Sequence, residues 1–176
     1  MKLDGKKVLM VIPHTQFRDE ELFAPKRVLE DEGAKVVVGS TAVRMCRGMK
    51  GGTVQSEITI ADAKADDYAA VVLCGGSSVP DFFWNDKKLQ ELVTAMSAAG
   101  KVVAAICLST VVLAKAKLLA GREATVYFLP QAIEALKEGG AKYVNETLII
   151  HNNIILAEGP PDSERFGQAI RAALAG

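Results

Sequence analysis

The stretch from Lys101 to Thr110 constrains this chain more than any other. It reads Lys-Val-Val-Ala-Ala-Ile-Cys-Leu-Ser-Thr. Val102 to Ile106 is small, apolar and partly β-branched, the composition of a strand buried on both faces of a parallel sheet. Beyond Cys107, the residues Val111, Val112, Leu113, Ala114 and Leu118 are the filling of a packed helix. A strand that passes straight into a helix at a cysteine predicts a sharp elbow, with the sulfur lifted above the end of the sheet. Orphan amides and the positive dipole end of the helix favour thiolate there. Cys107 is therefore expected to be reactive rather than a small core residue.

The other elements alternate around this elbow. Lys7 to Ile12 reads as a first buried strand. Asp19, Glu20 and Glu21 open a helix that runs to about Glu32 and stops at Gly33, acids at its start and glycine at its end. Lys35 to Gly39 is a second strand, and residues 43 to 61 read as an antiparallel excursion with hairpin character. Ala69 to Cys74 is a strand ending at Gly75-Gly76, followed by a helix from about Asp86 to Ala99. The Cys107 helix is expected to end near Leu119-Ala120-Gly121. Gln131 to Glu138 is another helix. Thr147 to Ile150 and Ile154 to Ala157 flank a turn at His151-Asn152-Asn153, and Glu164 to Ala175 is a terminal helix. Strands alternating with helices predict an α/β fold with a mostly parallel sheet covered on both faces.

At 176 residues the chain is one domain by size, and 49% apolar residues imply a substantial core. The formal net charge is zero and no basic stripe stands out, so nucleic acid is not an expected partner. No apolar run approaches the roughly 20 residues of a membrane span, and the first residues have no signal-peptide core. The protein is expected to be cytoplasmic, with no membrane partner. Three cysteines without framework spacing, Cys46, Cys74 and Cys107, argue against structural disulfides. There is no CxxC pair, HExxH, GxGxxG or Walker A loop, and only two histidines, His14 and His151. No metal and no cofactor are expected.

In a sheet of this kind ligands bind beyond the carboxyl ends of the strands. Three features fall at such ends: the loop from His14 to Glu21, Gly75-Gly76, and Cys107. Glycines there allow close approach of backbone to a bound group, and their amides can join that of Leu108 in an anion hole.

Glu21-Leu-Phe-Ala-Pro25, Leu73-Cys-Gly-Gly76 and Ala105-Ile-Cys107 resemble the ThiJ/PfpI superfamily, which is related in fold to the class I glutamine amidotransferases. The likeness runs from about Lys7 to the C-terminus and includes Glu158-Gly-Pro160. It implies a single domain over residues 1–176, a flavodoxin-like sandwich with a nucleophile elbow, and a homodimer or higher homo-oligomer. It also implies that Cys107 is the nucleophile, that Glu21 is the carboxyl bonded to its sulfur, and that Gly75, Gly76 and Leu108 supply anion-hole amides. A carboxyl group buried beside a thiolate is pushed toward its neutral form and can then donate a hydrogen bond.

Departures from the family pattern bear on the reaction. Leu108 stands where many members have His after the elbow Cys. Leu129 precedes Pro130 where others have His, with Tyr127 and Phe128 nearby. Ser109 and Thr110 replace Gly and Pro, Cys74 replaces Pro, and Glu158 replaces Arg. No Cys–His dyad is visible.

Auxiliary positions stay open on sequence alone. His14 reads as a solvated loop residue or a base, and Arg18 as a surface charge or an anion contact. Cys74 reads as a small buried residue or as a partner of Cys107 in a transient disulfide. Asp81-Phe-Phe-Trp84 reads as pocket wall or core contact. The expected function is a cysteine-dependent enzyme acting on a small electrophilic carbonyl, glyoxalase-like or hydrolase-like, through Cys107 with Glu21. The alternatives are a redox-sensing stress protein whose Cys107 is oxidised to sulfinate, and an intracellular peptidase, which Leu108 disfavours.

Overall fold

The apolar runs meet in a seven-stranded sheet in the computed structural model, which describes residues 1–176. In chain order the elements are β1 (Lys7–Val11), β2 (Thr15–Phe17), α1 (Asp19–Asp31), β3 (Lys35–Ser40), β4 (Met45–Gly48), β5 (Thr53–Gln55), β6 (Ile58–Thr59), β7 (Ala70–Leu73), α2 (Val79–Phe82), α3 (Lys87–Ala98), β8 (Val102–Ile106), α4 (Thr110–Lys115), β9 (Glu123–Ala124), α5 (Pro130–Glu138), β10 (Lys142–Tyr143), β11 (Leu148–His151), β12 (Ile154–Ala157) and α6 (Ser163–Ala175). The sheet order is β11-β12-β8-β7-β1-β3-β6, parallel except for β11. Every residue of β7, β8 and β12 is buried. That is what continuous apolar strands need, and helices supply it on both faces. α1 and α6 pack together on one face, and α3 and α4 cover the other. No helix is long and apolar enough to cross a membrane.

Register brings the expected loops together. Val11 aligns with Leu73, and Leu73 with Ala105. The carboxyl ends of β1, β7 and β8 therefore form one rim, from which the segments after Val11, Leu73 and Ile106 emerge side by side.

Three local expectations are corrected. The Cys107 helix is short. A single 3-10 turn, Cys107–Ser109, leads into α4, which stops at Lys115 rather than near Gly121. The stop is a Schellman closure without glycine: Leu118 N–H bonds the Leu113 carbonyl, Lys117 N–H bonds that of Ala114, and Lys117 itself is left-handed at φ +65°. Second, Thr15–Phe17 is an additional strand, paired with β4, which is itself antiparallel to β5 in a small three-stranded sheet. Gln16 at φ +59° breaks the alternation that would have revealed it. Third, of residues 43 to 61 only β4 and β5 form the hairpin. β6 leaves it to pair with β3 at the edge of the main sheet. The turn before β12 does place an asparagine, Asn152, at positive φ (+55°).

Asp19 has a use beyond the helix dipole. Its buried carboxylate accepts from the amides of Lys50 (2.9 Å) and Gly52 (2.8 Å), tying the β4–β5 turn to the start of α1. Asp19→Ala should retain the fold, lose about 1–2 kcal/mol of stability, and speed hydrogen exchange at those two amides. Unchanged exchange at Lys50 and Gly52 would overturn this tie.

Candidate active site

The elbow is formed by a change of backbone region at one residue. Ile106 is extended at φ −132°, whereas Cys107 is left-handed at φ +65°. A non-glycine residue there costs about 1–2 kcal/mol and persists only where its surroundings hold it. Two side chains do so. Trp84 Nε1 donates to the Leu108 carbonyl (2.9 Å), and Ser109 Oγ donates to the Cys74 carbonyl (2.6 Å), fastening the elbow to the end of β7.

Glu21 reaches the same point from the first turn of α1. Its carboxyl is fully buried against the Cys107 thiol. Oε1 accepts from the Gly75 amide (2.8 Å), and Oε2 has no hydrogen-bond partner. The amides of Leu108 and Gly76 point at the Cys107 sulfur. Both glycines are dictated by space. A Cβ on Gly75 would collide with Glu21 Oε1 and stand 2.6 Å from Cys107 Cβ. Gly76, at φ +142°, lies against the backbone of Gln16 and Phe17. Arg18 N–H completes the seam by donating to the Gly75 carbonyl (2.9 Å).

Burial controls the protonation of this pair. It raises the Glu21 carboxyl from 4.5 to about 8, against the pull of the Gly75 amide. Burial also pushes the Cys107 thiol up, and an ionised Glu21 adds to that rise. The Leu108 and Gly76 amides pull it down and do not prevail. The thiolate expected from a helix N-terminus is thus corrected: the helix is short, the sulfur is buried, and a second acid adjoins it. Two like charges cannot share so dry a site, so the pair titrates as a unit and carries one negative charge at most across the ordinary pH range.

Cys107 reaches a pocket of about 150 Å³. Arg18, Met49, Ser77, Leu108, Tyr127 and Pro160 line it. Arg18 is held by Glu20 (Nη2 to Oε2, 2.9 Å), which also takes Lys50 Nζ at 3.3 Å. The Gly75 amide is given to Glu21, so it orients the carboxyl and is not free for the anion hole expected of it. His14 is not part of the pocket: its Nδ1 bonds Thr41 Oγ1 (2.8 Å) and its ring stands edge-on to Phe82, centroids 4.7 Å apart. Cys74 is fully buried and free. Gly75, the residue after it, is the one that faces the Cys107 side chain. Of the aromatic cluster, Phe83 is core and Trp84 braces the elbow, so neither walls the pocket. Met49, Ser77, Tyr127 and Pro160 escaped the sequence reading as pocket residues. The one signal was Tyr127-Phe128, two large side chains outside any apolar period.

Fold and site together define an elbow-cysteine α/β protein. The profile of the DJ-1/PfpI family matches residues 6–173, and the chain belongs to that family. It is 47% identical to an uncharacterized protein of Methanocaldococcus jannaschii, over 98% of this chain and 84% of that one. It is 29% identical to a Pyrococcus abyssi protein named a deglycase, over 88% of this chain and 91% of that one. Among solved structures, the ThiJ/PfpI domain protein of Brachyspira murdochii superposes with a TM-score of 0.91 at 30% identity, covering 97% and 98% of the two chains. Drosophila melanogaster DJ-1beta gives 0.85 at 25% identity, covering 97% and 91%.

The raised Glu21 pKa has a stability consequence. Between pH 4.5 and 8 the folded chain keeps a proton that the unfolded chain releases, so stability falls as pH rises through that window. At the upper end of that window the loss amounts to several kcal/mol. Glu21→Gln keeps an acceptor for the Gly75 amide and does not titrate. Its thermal stability relative to the parent should therefore improve steadily from pH 5 to pH 8. A difference independent of pH would mean that Glu21 is ionised in the folded protein.

Proposed function

We propose that this protein is a cysteine-dependent enzyme acting on a small electrophilic carbonyl, with Cys107 as nucleophile and Glu21 as proton carrier. The observation that carries this reading is the buried carboxyl, neutral near pH 7, against the thiol at a strained elbow. Loss of one proton from the pair leaves mainly the Glu21 carboxylate beside the Cys107 thiol, and transfer of the thiol proton to that carboxylate yields the minor, productive form, a thiolate beside a carboxylic acid. The sulfur forms a bond to the aldehyde carbon of an α-oxoaldehyde, the carbonyl π pair moves to oxygen, and Glu21 delivers its proton there. The Leu108 and Gly76 amides support the developing negative charge. The Glu21 carboxylate then takes the proton from the carbon of the hemithioacetal and returns it to the neighbouring carbon, leaving a thioester. Water releases a 2-hydroxy acid and restores the thiol. No oxidant is consumed. The name of the Pyrococcus abyssi relative, a deglycase, accords with carbonyl chemistry.

A second reading is favoured by the Glu21 carboxyl, which is buried against the Cys107 thiol and whose Oε2 has no partner. A protonated Oε2 can donate to an oxygen of Cys107 sulfinate, the product of two successive reactions with peroxide that each release water. Peptide cleavage is the weakest of the three: Leu108 cannot exchange a proton, and the hydrogen bonding of His14 directs it to Thr41.

Steady-state assay on methylglyoxal, a fluorogenic peptide panel and peroxide, each beside Cys107→Ser, separates these readings. Methylglyoxal should be consumed only with Cys107 present, and Glu21→Gln should lower turnover by about 10²-fold or more. Peptide hydrolysis should be absent. Robust Cys107-dependent peptide cleavage would reverse the order, and sulfinate formation without turnover would move the sensor reading to first place.

Iodoacetamide should label Cys107 faster than Cys46 or Cys74, with a rate that climbs as pH passes about 8 and the pair loses its first proton. Glu21→Gln should abolish that step. Faster labelling of Cys46 or Cys74 at neutral pH would overturn the site assignment.

A further inference from the structure

The pocket at Cys107 does not end at its far wall. Tyr127 and Pro160 also line a second, larger cavity of about 470 Å³, together with Phe128, Asn145 and Glu158. Its chemistry differs from that of the thiol pocket. Tyr127 and Phe128 are 46% and 71% exposed, large aromatic faces left in solvent. Glu158 is half-buried, and no cation of the protein pairs with it. Arg165, on the following helix, is engaged by Thr147 Oγ1 (2.9 Å) and lies 3.8 Å from Asp162. Across the thiol pocket, Arg18 is already neutralised by Glu20. A carboxylate with no counter-ion, set among aromatic faces, is the composition that binds organic cations, by Coulomb attraction and by the ring quadrupoles.

We propose that the two cavities form one cleft, and that the electrophile attacked by Cys107 carries a cationic substituent, an ammonium or guanidinium group, seated between Glu158 and the Tyr127 and Phe128 rings. This rests on the reading of Cys107 as the nucleophile. Asn145, at the same cavity, offers an amide for any polar group linking the two ends.

Methanethiosulfonates test this directly. The Cys107 sulfur forms a disulfide with the reagent's sulfenyl sulfur and methanesulfinate leaves; the thiol is oxidised and the reagent is reduced. Three reagents differ in charge: trimethylammonioethyl, its neutral tert-butylethyl isostere, and sulfonatoethyl. The same thiolate serves all three, so ratios of rates cancel its pKa and report the cleft alone. In the intact protein, with modification at Cys107 located by peptide mapping, the cationic reagent should react about tenfold faster than the neutral isostere and the anionic one slowest. Glu158→Gln should bring the cation-to-neutral ratio to about one. Reaction at Cys107 without a charge preference, or a preference that survives Glu158→Gln, overturns the subsite and leaves the thiol reading intact.

A second measurement does not need the thiol. Cys107→Ser protein is titrated with tetramethylammonium chloride, with sodium chloride as the ionic-strength control. The amide resonances of Tyr127 and Gly159 should shift saturably, and Glu158→Gln should abolish the shift. If none of the reagents modifies Cys107 and this binding is present, the nucleophile reading fails and the cation site stands. Absence of a saturable shift overturns the cation site whatever the thiol does.

Discussion

A carboxyl group taken wholly out of water beside a thiol is the least comfortable arrangement in this fold, and much of the surrounding structure exists to hold it. Glu21 is fixed by one hydrogen bond, from the Gly75 amide, and by the absence of any side chain at Gly75. The amide alone does not offset the desolvation of a charge, so the group keeps its proton to about pH 8. In the proposed function, reactivity and instability have one origin. The acid that can deliver a proton near neutral pH is also the acid whose burial opposes folding there. Such a conflict between local stability and global fold is the usual mark of a functional position.

The sheet supplies the rigidity that this pair requires. β1, β7 and β8 are buried on both faces and end in register, so α1, the Gly75-Gly76 turn and the elbow emerge from one edge. Trp84 and Ser109 then tie the elbow to its neighbours by bonds to main-chain carbonyls. Left-handed Cys107 is sustained by this web and by none of its own preferences.

What could be read in the sequence follows from which physics is local. The buried strands and their helices were legible because continuous apolar runs and 3.6-residue periodicity are properties of neighbouring residues. The resemblance links Cys107 and Glu21, 86 positions apart, because their motifs stand in a fixed order. Other features were silent. Lys117 ends α4 in a conformation normally advertised by glycine, and Gln16 hides a strand in the same way. The protonation of the site does not follow from position alone, since a helix N-terminus is visible in the chain and burial is not. Tyr127 and Pro160 come to the thiol only through tertiary packing, where no spacing rule reaches.

The tie between Asp19 and the β4–β5 turn is made to the main chain, through the amides of Lys50 and Gly52. Met49, inside that turn, presents its side chain to the thiol pocket while its own amide is held by the Phe17 carbonyl (2.8 Å). A wall residue whose backbone is anchored by others can be exchanged without moving the frame. The first turn of α1 thus keeps two features apart. Glu21 is committed to one geometry, whereas the Met49 side chain can be exchanged with the Asp19 tie in place, so the shape of the space beside the sulfur is set independently of the carboxyl.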